Sequence, residues 1–140
     1  MHSITVEELA EAFELLDGAD RYQYVIDLGK KLEPMPDHLK TDATKVHGCQ
    51  SNVWIAAEST GQACPPFRLW ADSDSAIVKG LAAILVMLHV DQTLQQIITF
   101  DHQAVFQELG LEQHLSPNRR NGLRGMLAKV KQIAVEHATS

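Results

Sequence analysis

The stretch of residues 72–88, DSDSAIVKGLAAILVML, decides the fold class. Its first four residues, all Asp or Ser, supply the side chains that cap the start of a helix. The residues after them are apolar nearly all the way round a helical projection, whereas a surface helix would carry a polar face. The stretch therefore predicts a central core helix on which the other elements pack.

Two helical patterns precede this stretch. Thr5 and Glu8 have the spacing of a capping box, and apolar residues follow at helical intervals. Residues 17–20 break the pattern, and a second one continues to the prolines at 34 and 36. These patterns predict a helix hairpin. The second helix is expected to place four residues on one helical face: Tyr22, Val25, Ile26 and Gly29.

The residues between the hairpin and the core helix alternate between apolar and polar positions, as half-buried strands do. Residues 53–58 and 67–72 show this alternation and are separated by a turn-rich segment. They predict two antiparallel strands, and residues 45–47 predict a third.

Capping signals mark the helices that follow the core helix. Thr93 with Gln96 predicts one short helix, and Asp101 opens another that ends at Gly110. Ser116, followed by a proline, predicts the N-cap of a long terminal helix. The whole order predicts one α+β domain over residues 1–140, with an N-terminal helix hairpin, a small antiparallel three-stranded sheet and C-terminal helices.

The composition is that of a folded acidic protein. The 140 residues include 12 Lys and Arg against 18 Asp and Glu, a net charge of −6, with 45% hydrophobic and 21% charged residues. An acidic chain is poorly suited to binding nucleic acid. Its longest apolar stretch, residues 76–90, is shorter than the roughly 20 residues that span a membrane. The N-terminus has no signal-peptide pattern, so we expect a cytoplasmic protein with reduced thiols.

Cys49 and Cys64 are the only two cysteines. They exclude a disulfide framework and metal or cluster sites built from three or four cysteines, and leave either one bridge or two free thiols. Cys49 lies in the segment HGCQSN, residues 47–52, whose glycine and polar residues predict a loop between two strands. Cys64 is expected at a hairpin tip, as an incidental thiol. The alternative for Cys49 is an inert buried cysteine.

Other polar residues allow more than one interpretation. His47 and Cys49 could begin a metal site, but they lack the third and fourth ligands that zinc prefers, and nothing in the spacing supports a Cys–His hydrolase. Asp72 and Asp74 could be paired acids, although helix capping is the simpler interpretation. Arg119 is predicted in the first turn of the last helix, where a cation opposes the helix macrodipole, so it suggests a partner or an ion pair.

Three blocks of sequence stand out together. The first is GCQS at 48–51 followed by VW at 53–54, and the second is DSD at 72–74 leading into IVKGL at 77–81. The third is HLSP at 114–117, followed by Arg119. In this order the blocks resemble the SufE family of sulfur-acceptor proteins, which work with pyridoxal-phosphate cysteine desulfurases in iron–sulfur cluster assembly. The resemblance implies an α+β fold shared with IscU-type scaffold proteins.

The resemblance also implies the functional residues. Cys49 would accept sulfur as a persulfide on a loop tip near an apolar cavity, with Asp74 and Arg119 in the surrounding surface that meets the partner. The neighbours of Cys49 on that surface would be Gly48, Gln50 and Ser51. The implied partners are a SufS-like cysteine desulfurase, which the chain would activate, and a SufBCD-like scaffold complex. No cofactor and no metal of its own are expected.

Two alternatives to this function stay open at the level of sequence. A CsdE-like acceptor would use the same cysteine with a different desulfurase. A non-catalytic adaptor would use the same surface without sulfur transfer. Self-association as a homodimer is also left open.

Overall fold

The computed structural model describes residues 2–48, 51–113 and 115–139. A short 3-10 helix at Asp37–Leu39 lies between the second helix and the first strand. In chain order the other elements are α1 (Val6–Leu15), α2 (Gly18–Gly29), β1 (Val53–Ser59), β2 (Phe67–Ser73), α3 (Ala76–Leu88), α4 (Leu94–Thr99), α5 (His102–Glu108) and α6 (Pro117–Thr139).

Helix α3 is the core helix that the sequence predicts. Of its 13 residues, Ala76 and Lys79 alone reach solvent appreciably, and the other side chains are buried. The N-cap is Ser75, whose hydroxyl accepts a hydrogen bond from the backbone N–H of Val78. Because water can reach so little of its surface, α3 anchors the elements that pack on both of its sides.

The preferred interpretation of Asp72 and Asp74 as helix caps is wrong. Asp72 forms ion pairs with Lys40 at 2.7 Å and with Lys79 at 3.5 Å. Asp74 accepts hydrogen bonds from a residue of the preceding loop, described below. Both aspartates come before the cap residue Ser75, so their carboxylates bind side chains and a loop N–H instead of the free N–H groups at the start of the helix.

The sheet has two described strands. β1 and β2 pair antiparallel from Val53 opposite Ser73 to Ser59 opposite Phe67. Alternate side chains are buried along β2 as predicted, whereas in β1 the alternation ends at Ala56, which is buried while Ala57 is half-buried. The predicted third strand at residues 45–47 is not confirmed, because Lys45 forms an isolated bridge to Trp54 of β1 in place of a strand. A turn immediately precedes it, in which the backbone N–H of Lys45 bonds to the Thr41 carbonyl at 3.0 Å. Among the described residues, the pairing of this segment with β1 consists of two backbone hydrogen bonds, from Val46 to Val53 and from Ile55 to Thr44.

Helices α2 and α3 cross with their backbones almost in contact. A Cβ atom at Gly80 of α3 would lie 2.2 Å from the carbonyl oxygen of Val25, and one at Gly29 would lie 2.8 Å from the Gly80 nitrogen. This crossing confirms that α2 is buried through Val25 and Gly29, with Leu28 beside them. Tyr22 lies on the same helical face by spacing but is 38% exposed, while Ile26 is half-buried.

The C-terminal helices begin and end where the sequence predicts. Thr93 and Gln96 form a complete capping box, and Asp101 accepts from the N–H of Ala104. Gly110 follows α5 with φ of +68°, a conformation that glycine adopts without strain. The buried stripe of α6 consists of Gly122, Leu123, Met126, Leu127, Val130 and Ala134. None of the described helices is long and apolar enough to cross a membrane.

Candidate functional site

The predicted functional loop, residues 47–52, is closed at its base by buried residues. The backbone N–H of Val46 donates to the carbonyl of Val53 at 2.8 Å, and the N–H of Ile55 donates to the carbonyl of Thr44 at 2.9 Å. Val46 is 4% exposed and Val53 is fully buried. The loop therefore leaves from, and returns to, one fixed point at the end of β1.

Helix α6 lies against the upstream base of this loop. A Cβ atom at Gly125 would lie 2.5 Å from a methyl group of Val46 and 3.7 Å from the carbonyl oxygen of His47. Glycine at this position thus lets the α6 backbone touch the chain that enters the loop. The His47 ring reaches back to the carbonyl of Asp42, with Nε2 at 3.4 Å from that oxygen.

Two of the predicted site residues lie outside the described residues, and their neighbours bracket them. Cys49 and Gln50 are the two, and Gly48 and Ser51 flank them. Gly48 has φ of +90°, which side chains other than glycine rarely adopt, and a Cβ there would meet nothing within 4 Å. The glycine is therefore required by the turn and not by crowding. Ser51 is half-buried.

The downstream side of the loop is fixed by Asn52 and Asp74, which we call the Asn52–Asp74 clamp. The backbone N–H of Asn52 donates to Oδ1 of Asp74, and its side-chain amide donates to Oδ2, both at 3.0 Å. The N–H of Asp74 donates in return to the carbonyl of Asn52 at 3.2 Å. Three hydrogen bonds thus continue the β1–β2 pairing one step beyond the strands.

A second carboxylate lies next to the clamp on the outer side of the sheet. Lys40 and Lys79 both bind Asp72, and the Lys40 ammonium lies 5.4 Å from the ring centre of Trp54. Burial alone would raise the pKa of Asp72. The hydrogen bond from Lys40, the N–H of Ser73 and the charge of Lys79 outweigh it and lower that pKa. Asp72 therefore stays ionised and is a structural ion pair rather than a paired acid.

Arg119 binds a tyrosine instead of an acid. Its Nη1 donates to the hydroxyl of Tyr22 at 3.0 Å, and its backbone N–H donates to the capping hydroxyl of Ser116 at 3.4 Å. Tyr22 and Ser116 both lie outside residues 47–52, so neither of these two hydrogen bonds joins Arg119 to the loop. The structure thus brings Asp74 to the loop but gives Arg119 a different neighbour.

Cys64 is an exposed free thiol in the segment between the strands, and its Sγ donates to the carbonyl of Asp91 at 3.1 Å. The sheet register puts that segment next to Ser59 and Phe67, and the loop next to Val53. The two ends are about 20 Å apart along a strand of this length. In the described part of the chain, no three His, Cys, Asp or Glu side chains group to hold a metal ion.

Two features of the structure were not anticipated from the sequence. Asn52 is the partner of Asp74, and their separation of 22 positions in the sequence carries no periodic signal for the contact. His89 and His102 form a buried pair with Nε2 atoms 2.7 Å apart. In the sequence, His89 directly follows the apolar core helix and His102 directly follows the capping residue Asp101, and these positions alone do not predict that the two rings meet.

Comparison with known proteins gives the family. Residues 7–134 match the family described as "SufE: Fe-S metabolism associated domain". This chain belongs to the SufE family. It is 39% identical over 132 residues to an uncharacterised SufE-like protein of Rhizobium meliloti, covering 93% of this chain and 94% of the relative. Membership places the chain in Fe–S metabolism and implies a sulfur-acceptor role beside a cysteine desulfurase.

A solved structure shows the same fold. The solution structure of a hypothetical protein from Thermus thermophilus superposes with a TM-score of 0.79, and each chain is covered over 100% of its length, at 22% sequence identity. At that identity the likeness supports the α+β fold of this SufE-family chain.

Proposed function

We propose that this SufE-family protein accepts sulfur on Cys49 from a SufS-like cysteine desulfurase, stimulates that enzyme, and passes the sulfur to a SufBCD-like scaffold. The observation that carries the proposal is the construction of the loop. Its base is tied by the Val46–Val53 hydrogen bond on one side and by the Asn52–Asp74 clamp on the other. Such a base holds the two ends of a loop at a fixed place, and binding residues are often carried on loops positioned by a rigid scaffold.

The proposed transfer is a thiol exchange. The thiolate of Cys49 attacks the terminal sulfur of the desulfurase persulfide, a new S–S bond forms to Cys49, and the desulfurase cysteine leaves as a thiolate. No external oxidant is needed, because the transferred sulfur atom keeps its formal oxidation state. Only the thiolate is nucleophilic, and an ordinary cysteine has a pKa of about 8.5, so docking must favour the ionised form.

The neighbours of Cys49 have distinct proposed roles. Gly48 supplies the turn that begins the loop, and Gln50 and Ser51 lie beside the thiol in sequence and would contact the partner. Asp74 would act as a positioning residue, since its carboxylate holds Asn52 at the downstream side of the loop. The exchange proceeds without a cofactor on this chain. A reducing compartment preserves thiols, so we place the protein in the cytoplasm.

Mass spectrometry tests the assignment of the thiol. After incubation with a cysteine desulfurase and free cysteine, the wild type and Cys64→Ser should gain about 32 Da, the mass of one sulfur atom, and Cys49→Ser should not. Cys64→Ser is the matched control because it removes the exposed thiol at the other end of the sheet. A persulfide on Cys49→Ser, or its loss from Cys64→Ser, contradicts the proposal. Desulfurase stimulation by Cys49→Ser at the wild-type level would indicate an adaptor.

Arg119 is proposed to contact the desulfurase. Arg119→Ala should weaken desulfurase stimulation, while the free energy of unfolding changes by no more than about 0.5 kcal/mol, as at other surface sites. Arg120→Ala is the control, since Arg120 is the next cation of the same turn and its Nε binds the Leu115 carbonyl. If Arg119→Ala unfolds the protein without a separate effect on sulfur transfer, Arg119 is structural and the contact surface lies elsewhere.

Two further experiments address which desulfurase is the partner and whether the chain self-associates. A SufS-like desulfurase and a desulfurase of a different type, tested side by side, would separate the proposed function from the CsdE-like alternative. We propose that residues 1–140 act as one domain, and that a homodimer is not needed for transfer. Sedimentation of the chain at the assay concentration tests this.

A further inference from the structure

The backbone pairing of β1 shows which way β2 turns its own hydrogen-bonding groups. In an antiparallel strand, successive residues point their N–H and C=O groups alternately to the two sides. Val53 and Ile55 of β1 bond to the segment on the far side of the sheet, at Val46 and Thr44. The residues between them therefore face β2.

The same alternation leaves the outer edge of β2 without a strand partner. Trp70 lies opposite Ala56 and bonds to β1, so its neighbours Leu69 and Ala71 point their N–H and C=O groups away from β1. No described residue donates to or accepts from these groups. Leu69 is 8% and Ala71 is 2% exposed, whereas more than nine in ten buried backbone groups in proteins are paired.

A groove runs beside this unpaired edge. Its cavity of about 310 Å³ is lined on one side by residues 67–71 of β2 and on the other by Leu32, Val86, His89 and Val90. Pro65 lies at one end. The site therefore combines directional hydrogen-bonding groups with an apolar wall, which is the combination that binds an extended peptide at a sheet edge.

We propose that this groove binds an extended peptide segment of a partner protein, which adds a strand antiparallel or parallel to β2. The segment would carry small apolar side chains where it enters the groove and basic residues at its ends. The site lies toward the Cys64 end of the sheet, so it is separate from the proposed sulfur-transfer loop and does not depend on that function.

Size and charge argue against a second copy of this chain as the occupant. Residues 67–71 span only about 13 Å of edge, and a stable dimer buries about 800 Å² on each partner. The net charge of −6 also makes two copies repel each other. A short basic segment needs less edge than a dimer does, and it is not repelled by the negative charge of the chain.

The charges around the groove favour a basic segment. Glu33 lines the groove, Asp91 follows the lining residue Val90, and Arg68 is bound to Glu33 with 2.6 Å between Nη2 and Oε2. The Arg68 guanidinium is thus already paired, and it also stacks on Trp70 at 3.8 Å. Glu33 and Arg68 neutralise each other, so the further carboxylate is that of Asp91, next in sequence to Val90 at one end of the groove. A Lys or Arg at that end of the segment would lie near Asp91, and the net charge of −6 also favours a basic segment.

Amide NMR of the full chain tests the proposal with a defined probe. The probe is a pool of hexapeptides with Lys at both ends and Ala, Val or Thr at each inner position. The pool should shift the amide signals of Leu69 and Ala71 and slow their hydrogen exchange at least about tenfold, because these N–H groups become bonded. A pool with N-methylated inner residues, which cannot pair, should have no effect. A Glu-ended pool should bind at least about tenfold more weakly.

The variant Ala71→Pro gives an independent check. Proline removes the outward N–H but no bond to β1, so a folded Ala71→Pro protein should bind the pool at least about tenfold more weakly. Cys49→Ser should bind it as the wild type does. If Ala71→Pro does not fold, the N-methylated pool decides the point. If the Lys-ended pool has no effect at millimolar concentration, the proposal is overturned and water is the partner of these backbone groups. If their protection from exchange rises with protein concentration alone, the proposal is overturned in favour of a second copy of the chain.

Discussion

The buried pair of His89 and His102 should make the stability of this protein fall in mild acid. His89 follows the last residue of α3 and His102 is the first residue of α5, and their side chains are 2% and 5% exposed. The 2.7 Å between their Nε2 atoms requires one nitrogen to donate and the other to accept. Protonating both rings would therefore replace a hydrogen bond with two buried cations in contact.

The pKa of each ring moves in the direction that this geometry implies. Burial, above all, lowers the pKa of His102 from 6.5 to about 4, with further lowering by the charges of His89 and Lys131. Asp101 and the Phe100 backbone oppose that lowering only in part. Burial likewise lowers the pKa of His89, opposed by its hydrogen bond to Gln92.

The sign and size of the effect follow from proton linkage. Between about pH 6.5 and about pH 4 the unfolded chain binds a proton at residue 102 that the folded chain excludes. The stabilising contribution is thus complete above about pH 6.5 and is lost as the pH falls through this window. At about 1.4 kcal/mol per pKa unit, His102 alone should remove about 2 kcal/mol between pH 7 and pH 5.

Urea unfolding at pH 7 and pH 5 measures this loss. His102→Gln keeps a group that can donate to His89 but cannot titrate, so the difference between wild type and variant cancels the contribution of the carboxylates. The wild type should lose about 2 kcal/mol more than His102→Gln. His38→Gln, at an exposed histidine, is the control and should follow the wild type. Parallel pH profiles for wild type and His102→Gln would refute the reasoning.

Two further predictions concern packing. Gly80→Ala should cost at least about 1 to 3 kcal/mol, because the new methyl group would lie 2.2 Å from the Val25 carbonyl, whereas Gly18→Ala, with nothing within 4 Å, should be neutral or stabilising. Equal urea midpoints for the two variants contradict the crossing. Leu85→Ala should cost about 2 to 5 kcal/mol by opening a cavity in α3, and Leu15→Ala, at a residue 87% exposed, should change stability by less than about 0.5 kcal/mol. A urea midpoint of Leu85→Ala equal to that of the wild type would contradict the placement of α3 in the core.

Much of the fold could be predicted because its signals are local. The capping residues Thr5, Thr93 and Asp101 each bond to a residue three positions ahead, so the pattern and the contact lie in the same short window. The continuous apolar run of α3 similarly specifies burial whatever surrounds it. Element order and the core followed from these signals alone.

The errors arise where distant parts of the chain compete for a group. Asp72 and Asp74 have the composition of caps, yet lysines and Asn52 bind them because Ser75 already occupies the cap position. None of these partners lies within one turn of the aspartate that it binds. Tyr22 likewise shares a helical face with Val25 by spacing and is still 38% exposed.

The clamp contributes to the proposed site more by fixing the direction of the chain after the loop than by shortening the loop. The clamp reduces the free loop from residues 47–52 to residues 47–51, and a change of one residue alters the closure entropy by only about 0.2 kcal/mol. Each hydrogen bond between Asn52 and the Asp74 carboxylate is worth about 0.5 to 1.5 kcal/mol net, more when the charge is little hydrated. Hydrogen bonding is therefore the larger effect. The clamp fixes the direction in which the chain rejoins β1, and with it the surface from which the thiol of Cys49 would be offered to a donor.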